Sequence, residues 1–479
     1  MMDGGHDTRL ERPIRPLVAA HPGKSGVVAL SDGRDAFAVR ALLADAAERT
    51  LDVQYYIWHA DRSGRWLFEA LRRAADRGVR VRLLLDDNNT TGLDPILAAL
   101  DAHPRIEVRL FNPFKNRRWR AWGYLTDFPR LNRRMHNKSF TVDNAATIVG
   151  GRNIGDAYFG ADQEMTFVDL DVLAIGPVVA DVTRDFDRYW DCESSHPASR
   201  VLPAAKAPAI AAPAVDPAPA GRDPAARAYA EAISRSAFVR DLLAGCLRFE
   251  WAETRMVSDD PAKGLGRAKD SELVWPRLRR MLRTPVQEME LVSPYFVPTA
   301  AGVAFFVGLA RQGVKITILT NALEATDVGI VHAGYAKWRK PLLEAGIALY
   351  ELKRTFSERA LKDRGLTGHS GSSLHAKTFS IDRAQLFVGS LNFDPRSSRL
   401  NTELGFVIDS PRLAEAIAET FVGNLPARAY QVRLDARGKL QWVERGNGRE
   451  RIHPREPGAG FWRRAGVAVL SWLPIEWLL

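Results

Sequence analysis

The chain runs to 479 residues, 46% of them hydrophobic, which is enough to bury two substantial cores or one fused core. Its two cysteines, Cys192 and Cys246, stand at unrelated positions and exclude a disulfide framework, and no Cys/His cluster has the spacing of a metal site. The net charge of +10 points to a polyanionic partner, either nucleic acid or an anionic membrane surface.

In chain order, Met1–Arg15 is polar and mixed in charge, which is neither a signal peptide nor a membrane anchor, and residues 1–32 read as an N-terminal arm. A first half follows over 33–200. Val53–Ile57 predicts a strand, the amphipathic stretch through Trp66, Leu67, Ala70, Leu71 and Ala74 a helix, and Val79–Leu85 a second strand, with Gly78 as the helix C-cap. Ile106–Phe111 predicts a further strand. Between Lys115 and Arg134, basic residues alternate with Trp119, Trp122, Tyr124 and Phe128. That mixture suits single-stranded nucleic acid, where rings stack on bases, and equally a lipid headgroup layer; a solvated basic loop with two core tryptophans is the plainer alternative. Lys138–Val142 predicts another strand. Residues 201–226, with six prolines and eleven alanines, read as a linker.

The second half, 227–427, repeats this order. Glu290–Tyr295, the apolar stretch Val303–Leu309 and Val314–Leu319 predict strand, helix and strand, with Gly313 at the C-cap; strands Ile347–Leu352 and Lys377–Ile381 follow. Alternating elements of this kind predict an α/β protein of two similar halves, each a mixed or mostly parallel sheet flanked by helices. In the extension 428–479, Arg445, Arg449, Arg451, Arg455, Arg463 and Arg464 precede an apolar run from Ala465 that is interrupted by Pro474 and ends Trp477-Leu478-Leu479. The run is about half the ~20 residues needed to cross a bilayer. It fits an interfacial anchor, the alternative being a terminal segment docked on the protein's own core. Such a tail favours a membrane over nucleic acid as the polyanionic partner.

One pattern occurs in both halves. His136, Lys138, Asp143, Gly150, Gly151 and Asn153 recur at identical spacing as His375, Lys377, Asp382, Gly389, Ser390 and Asn392. An internal duplication of this kind is not a chance event. The chemistry it offers is transfer at a phosphodiester: one neutral imidazole attacks phosphorus while the other protonates the departing alkoxide. Lys138 and Lys377, two residues on along a strand, project on the same face as their histidines and can neutralise non-bridging oxygens, with Asn153 and Asn392 as further donors. A carboxylate should hold each imidazole tautomer. Glu403 is one candidate and Asp169 its counterpart, each lying eight residues before a proline, Pro411 and Pro177; Glu164 competes with Asp169, since it follows its histidine by the same interval as Glu403.

The paired motif resembles that of the phospholipase D superfamily, whose two His-Lys-Asp motifs meet at one active site between the halves. The resemblance spans about Gly33 to Ala427. Finer features, including Gly150–Asp156, Asp169–Leu173, Thr326–Val328, Val331–Tyr335 and Gly389–Ser397, are similar to the bacterial cardiolipin synthases of the C type. The resemblance implies a covalent phosphatidyl-histidine intermediate and transfer without metal or other cofactor. It implies His136 as nucleophile and His375 as general acid, phosphate held by Lys138, Lys377, Asn153 and Asn392, and Asp143 and Asp382 completing the motif as structural support. Gly151 departs from Ser390, so any role of the Ser390 hydroxyl is one-sided. His332, Tyr335 and Arg339 are candidate headgroup contacts. The expected activity is cardiolipin synthesis from phosphatidylglycerol or phosphatidylethanolamine as donor, with a partner protein an open possibility. The expected location is peripheral, at the cytoplasmic face of a bacterial inner membrane. Alternatives are a hydrolytic phospholipase D and a nuclease-type phosphodiesterase.

Overall fold

A computed structural model describes residues 7–161, 165–204, 229–231, 233–326, 328–354, 371–419, 423, 425–446 and 449–471. Strands 50–57, 80–89 and 106–111 pair in parallel, as do 288–292, 315–321 and 348–352. Helices 62–76 and 299–311 cross over between the first two strands of each set, and each ends before a glycine in the left-handed region, Gly78 (φ 96°) and Gly313 (φ 91°), as predicted. From the first strand of each set the sheet continues antiparallel: 139–142, 146–150, 171–175 and 25–30 in one half, 378–381, 385–389, 404–409 and 250–258 in the other.

The two sheets join at equivalent strands. Residues 25–27 pair antiparallel with 250–252, so the halves are related by a pseudo-two-fold axis through that junction. Strand 25–30 thereby brings part of the predicted N-terminal arm into the first sheet. The start of the predicted C-terminal extension is likewise built into the second, where 429–434 pairs with 348–352 and is followed by 440–446 and 449–453. Each half has its own core, and a third apolar cluster mixes Val27, Val149, Val172 and Val178 of one half with Val292, Val388, Phe406 and Ile417 of the other. The halves are one packed body.

Among the described residues no helix is long and apolar enough to cross a membrane. Helix 461–471 buries Val467 against Leu323 and Ala333 while Phe461, Trp462 and Val469 stay exposed. It is both docked on the protein and apolar on its outer side. The predicted linker from 205 onward and the last residues, 472–479, lie outside the described residues.

Candidate active site

Because 139–142 runs antiparallel to 50–57, its N-terminal end lies at the same sheet edge as the C-terminal ends of the parallel strands. His136 precedes that end. The same holds for His375 beside 378–381 and 288–292. Both motifs therefore open at one edge, on either side of the pseudo-two-fold.

The halves clasp each other there. The His136 amide donates to Thr402 O (2.9 Å) and the Thr402 amide to Arg134 O (2.9 Å); reciprocally, the His375 and Ala376 amides donate to Val168 O (2.8 and 2.9 Å). Strands 165–168 and 371–374 pair in parallel beside this clip. The residues after the clips are the acids. Glu403 Oε2 lies 2.8 Å from His136 Nδ1, and Asp169 Oδ2 lies 2.6 Å from His375 Nδ1. Each imidazole is thus oriented by a carboxylate from the opposite half, a pairing that local sequence could not supply. Glu164, the competing acid, lies outside the described residues.

The departure at Gly151 has a steric cause. A Cβ there would sit 2.2 Å from Asp169 Oδ1, so the short acid lies directly on the glycine. At the equivalent position Ser390 fits beneath the longer Glu403 and donates to its Oε2 (2.5 Å). Ser397 Oγ donates to Glu403 Oε1 (2.7 Å), and the Glu403 amide donates to Asp259 Oδ2 (2.8 Å). Ser397 stands in the motif-flanking stretch 389–397, which could have signalled it; Asp259 carries no sequence signal.

The hydrogen bonds assign tautomers. Ser390 O, a carbonyl that can only accept, lies 3.1 Å from His136 Nδ1, so Nδ1 carries the proton and Nε2 keeps its lone pair. Burial, then the Lys138 and Lys377 charges, holds His136 well below the ordinary imidazole range. His375 is lowered by burial and Lys377, with Asp169 opposing. Burial raises Asp169, but the His375 and Lys377 charges outweigh it and leave its carboxyl well below the usual range. Glu403 goes the other way: burial pushes it up to about 7 against the pull of Lys138 and the two serine hydroxyls.

Lys138 Nζ donates to His136 O (2.6 Å), and burial brings its ammonium down to about 7. Lys377 Nζ donates to His375 O and lies 3.4 Å from His375 Nε2. Asn153 turns Oδ1 to the Ile57 amide (3.1 Å) and Nδ2 to Tyr158 OH (3.1 Å), while Asn392 Oδ1 is buried without a partner. Aromatic rings, which sequence reasoning missed, wall the histidines: Tyr56 stands edge-on to His136 at 4.8 Å, with Tyr158 and Phe167 each 5.2 Å from His375.

Asp143 and Asp382 sit at turns with φ of 51° and 50°, where Asp is well tolerated. Asp143 accepts from the amides of Glu48, Arg49 and Thr50, and Asp382 from those of Val286, Gln287 and Glu288. Their carboxylates brace the backbone. His332, Tyr335 and Arg339 are buried in an ion cluster: Arg339 meets Glu351 (2.8 Å) and Glu456 (2.5 Å), and His332 meets Glu456 (2.9 Å). Those contacts fasten the C-terminal segment to the second half and go to no motif residue.

Two motif histidines, two lysines and two acids exchanged across a seam make a candidate phosphotransfer site of the phospholipase D class. The family model described as "Cardiolipin synthase, PLD-like domain" matches twice, at residues 40–190 and 278–424. The chain is 56% identical to cardiolipin synthase C of Escherichia coli (strain K12) over 98% of this chain and 100% of that one. It is 25% identical to the major cardiolipin synthase ClsA of Bacillus subtilis (strain 168), over 84% of this chain and 69% of that one. Its fold matches the crystal structure of phosphatidylserine synthase from Haemophilus influenzae Rd KW20 with a TM-score of 0.56 at 12% identity, covering 88% of this chain and 92% of that one. The chain belongs to the cardiolipin synthase family of phospholipase D-like enzymes.

Proposed function

We propose that this enzyme is a phosphatidyltransferase that makes cardiolipin at a bacterial membrane, using phosphatidylglycerol or phosphatidylethanolamine as donor and phosphatidylglycerol as acceptor. The observation that carries the reading is the crossed pair of His–carboxylate contacts, which leaves two Nε2 atoms to share one phosphodiester. His136 Nε2 attacks the donor phosphorus, and the bond to the headgroup alkoxide breaks as His375 Nε2–H protonates it. The phosphatidyl group rests on His136, whose Nδ1–H now belongs to a cation facing Glu403. His375, left neutral, takes the proton of an acceptor hydroxyl, whose oxygen attacks phosphorus and releases His136 as cardiolipin forms.

The electrostatics divide these roles. His136 is the more strongly neutral imidazole, which suits attack, and the ionised Asp169 beside His375 supports the protonated form that an acid needs. Lys138 and Lys377 carry the negative charge of the phosphorane, with Asn153 and Asn392 as lesser contacts. The exposed Phe461 and Trp462 favour peripheral seating of the C-terminal helix in one leaflet, which is proposed to be the cytoplasmic one. A partner protein would be an addition to this chemistry, since both histidines and both acids come from one chain.

The test is lipid analysis of a cardiolipin-free bacterial strain expressing wild type, His136→Ala or His375→Ala. Cardiolipin with wild type alone is the expected result. Phosphatidic acid in its place would mean that water takes the intermediate and the enzyme is a phospholipase. Unchanged lipids together with DNA cleavage lost in His136→Ala would overturn the lipid reading.

A further inference from the structure

The transfer chemistry leaves the segment 114–131 without a role, although the structure holds it firmly. Helix 120–126 buries none of its residues, and Trp119, Trp122 and Leu125 are 67%, 61% and 78% exposed. Its inner side is bolted down. Arg117 bonds Asp87 (2.8 Å) and Asp94 (2.5 Å), and Arg120 bonds Asp87 O (2.9 Å) and Thr90 Oγ1 (3.1 Å). Gly123 faces Leu131 and Phe114 so closely that a Cβ would lie 2.9 Å from Leu131. A fully buried carboxylate, Asp87, thus anchors a helix whose outer face is bare indole and leucine.

The same strand end holds the first histidine. Asp86 accepts from the Met135 amide (2.7 Å), one residue before His136, while Asp87 accepts from the Phe114 amide (2.8 Å) at the start of the segment 114–131. Tyr124 OH reaches Asn88 Oδ1 (2.5 Å) on the strand 80–89, and Tyr56 of the paired strand 50–57 stands against His136. The bare face is therefore a rim of the active site.

We propose that Trp119, Trp122 and Leu125 insert into an anionic lipid leaflet at the boundary of headgroups and acyl chains, with the exposed Lys115 and Arg118 on lipid phosphates. This seats the mouth beside His136 at headgroup level, and it rests on the reading above that the substrates are phospholipids. Charge and apolarity occur together here, as an anionic leaflet demands. Leu125, the most exposed of the three, offers a nucleic-acid base no ring on which to stack, whereas acyl chains accept it.

The experiment is co-sedimentation of the full chain with vesicles of phosphatidylethanolamine containing phosphatidylglycerol. Trp119→Ser, Trp122→Ser and Leu125→Ser are combined in one variant, and Lys115→Glu with Arg118→Glu in another. Burying a side chain of this size is worth about tenfold in partitioning, so the triple variant should bind at least about a hundredfold more weakly. The charge variant should lose its preference for vesicles that contain phosphatidylglycerol. All five side chains point outward, so an unchanged melting midpoint shows that each variant is folded. Triple-variant partitioning within about threefold of wild type overturns the proposal, as does wild-type binding to single-stranded oligonucleotide in place of vesicles. Turnover of dispersed short-chain phosphatidylglycerol by wild type tests the catalytic reading separately, because monomeric substrate needs no leaflet.

Discussion

Replacing Glu403 by Gln should make the enzyme slower and more stable at once. The carboxyl is fully buried, and burial moves it from an ordinary value of 4.5 up to about 7. Above pH 7 the folded state holds an anion that the unfolded chain would solvate better, at a cost of about 3 kcal/mol; below about pH 4.5 both states are protonated and the cost vanishes. Gln removes the charge and keeps the bonds. Its oxygen can accept from Ser390 Oγ and His136 Nδ1–H, and its NH2 can donate to Ser397 Oγ, which now turns its own hydrogen away. Thermal unfolding at pH 8 should therefore shift upward by a few degrees, with the gain fading as the pH falls toward 5. Catalysis loses a carboxylate opposite the cationic phosphatidyl-imidazole. A charge-assisted bond is worth about 1.5–3 kcal/mol, so kcat on short-chain phosphatidylglycerol, followed by mass spectrometry at pH 7.5, should fall about ten- to hundredfold. Glu403→Gln that melts lower than wild type at pH 8, or turns over at the wild-type rate, would refute the reasoning.

Lys138, brought down to about 7 by burial, should lose its ammonium as pH rises, so kcat/KM should decline above about pH 7; Lys138→Arg should move that decline to higher pH, and an unmoved profile would assign the limb to another group. Asp143→Ala removes the acceptor of three backbone amides and should cost about 2–3 kcal/mol in urea unfolding while kcat stays within about threefold. A hundredfold fall in kcat at full stability would instead place Asp143 in the chemistry. Glu456→Ala leaves the buried Arg339 with Glu351 as its one described carboxylate partner and should free the segment beyond 456 to limited proteolysis, at a cost of about 3–5 kcal/mol; protease resistance equal to wild type would deny Glu456 that latch.

What the sequence could show was local. Lys138 follows His136 by two residues on a strand, and Gly78 and Gly313 end helices, because side-chain alternation and left-handed turns are short-range properties. The duplication made both motifs legible for the same reason. Which acid serves which histidine was not legible, because the contacts His136–Glu403 and His375–Asp169 join positions 267 and 206 residues apart. Nor could composition tell that Trp119 and Trp122 stay outside the core, since that depends on Arg117 and Arg120 finding Asp87. His332 and Arg339 showed the converse: polar residues read as ligand contacts are paired with Glu351 and with Glu456, from a segment more than a hundred residues on.

The exchange of acids makes the active site and the seam a single feature. Neither half alone contains a histidine with its carboxylate, so a change that loosens the halves also misorients both imidazoles. Duplicated motifs would ordinarily give two equivalent groups, which is poor chemistry for a reaction that needs a nucleophile and an acid. The surroundings break the equivalence: the acids differ by one methylene, a serine replaces the glycine behind one of them, and the charges that reach them differ. Asp169 lies on bare Gly151, and the His375 and Lys377 charges keep it ionised; Glu403, beside a neutral His136, is pushed up by burial against the hydrogen bonds of Ser390 and Ser397. Nearly identical motifs thereby acquire different proton affinities, and the proposed division of labour rests on the surroundings of the histidines rather than on the histidines themselves.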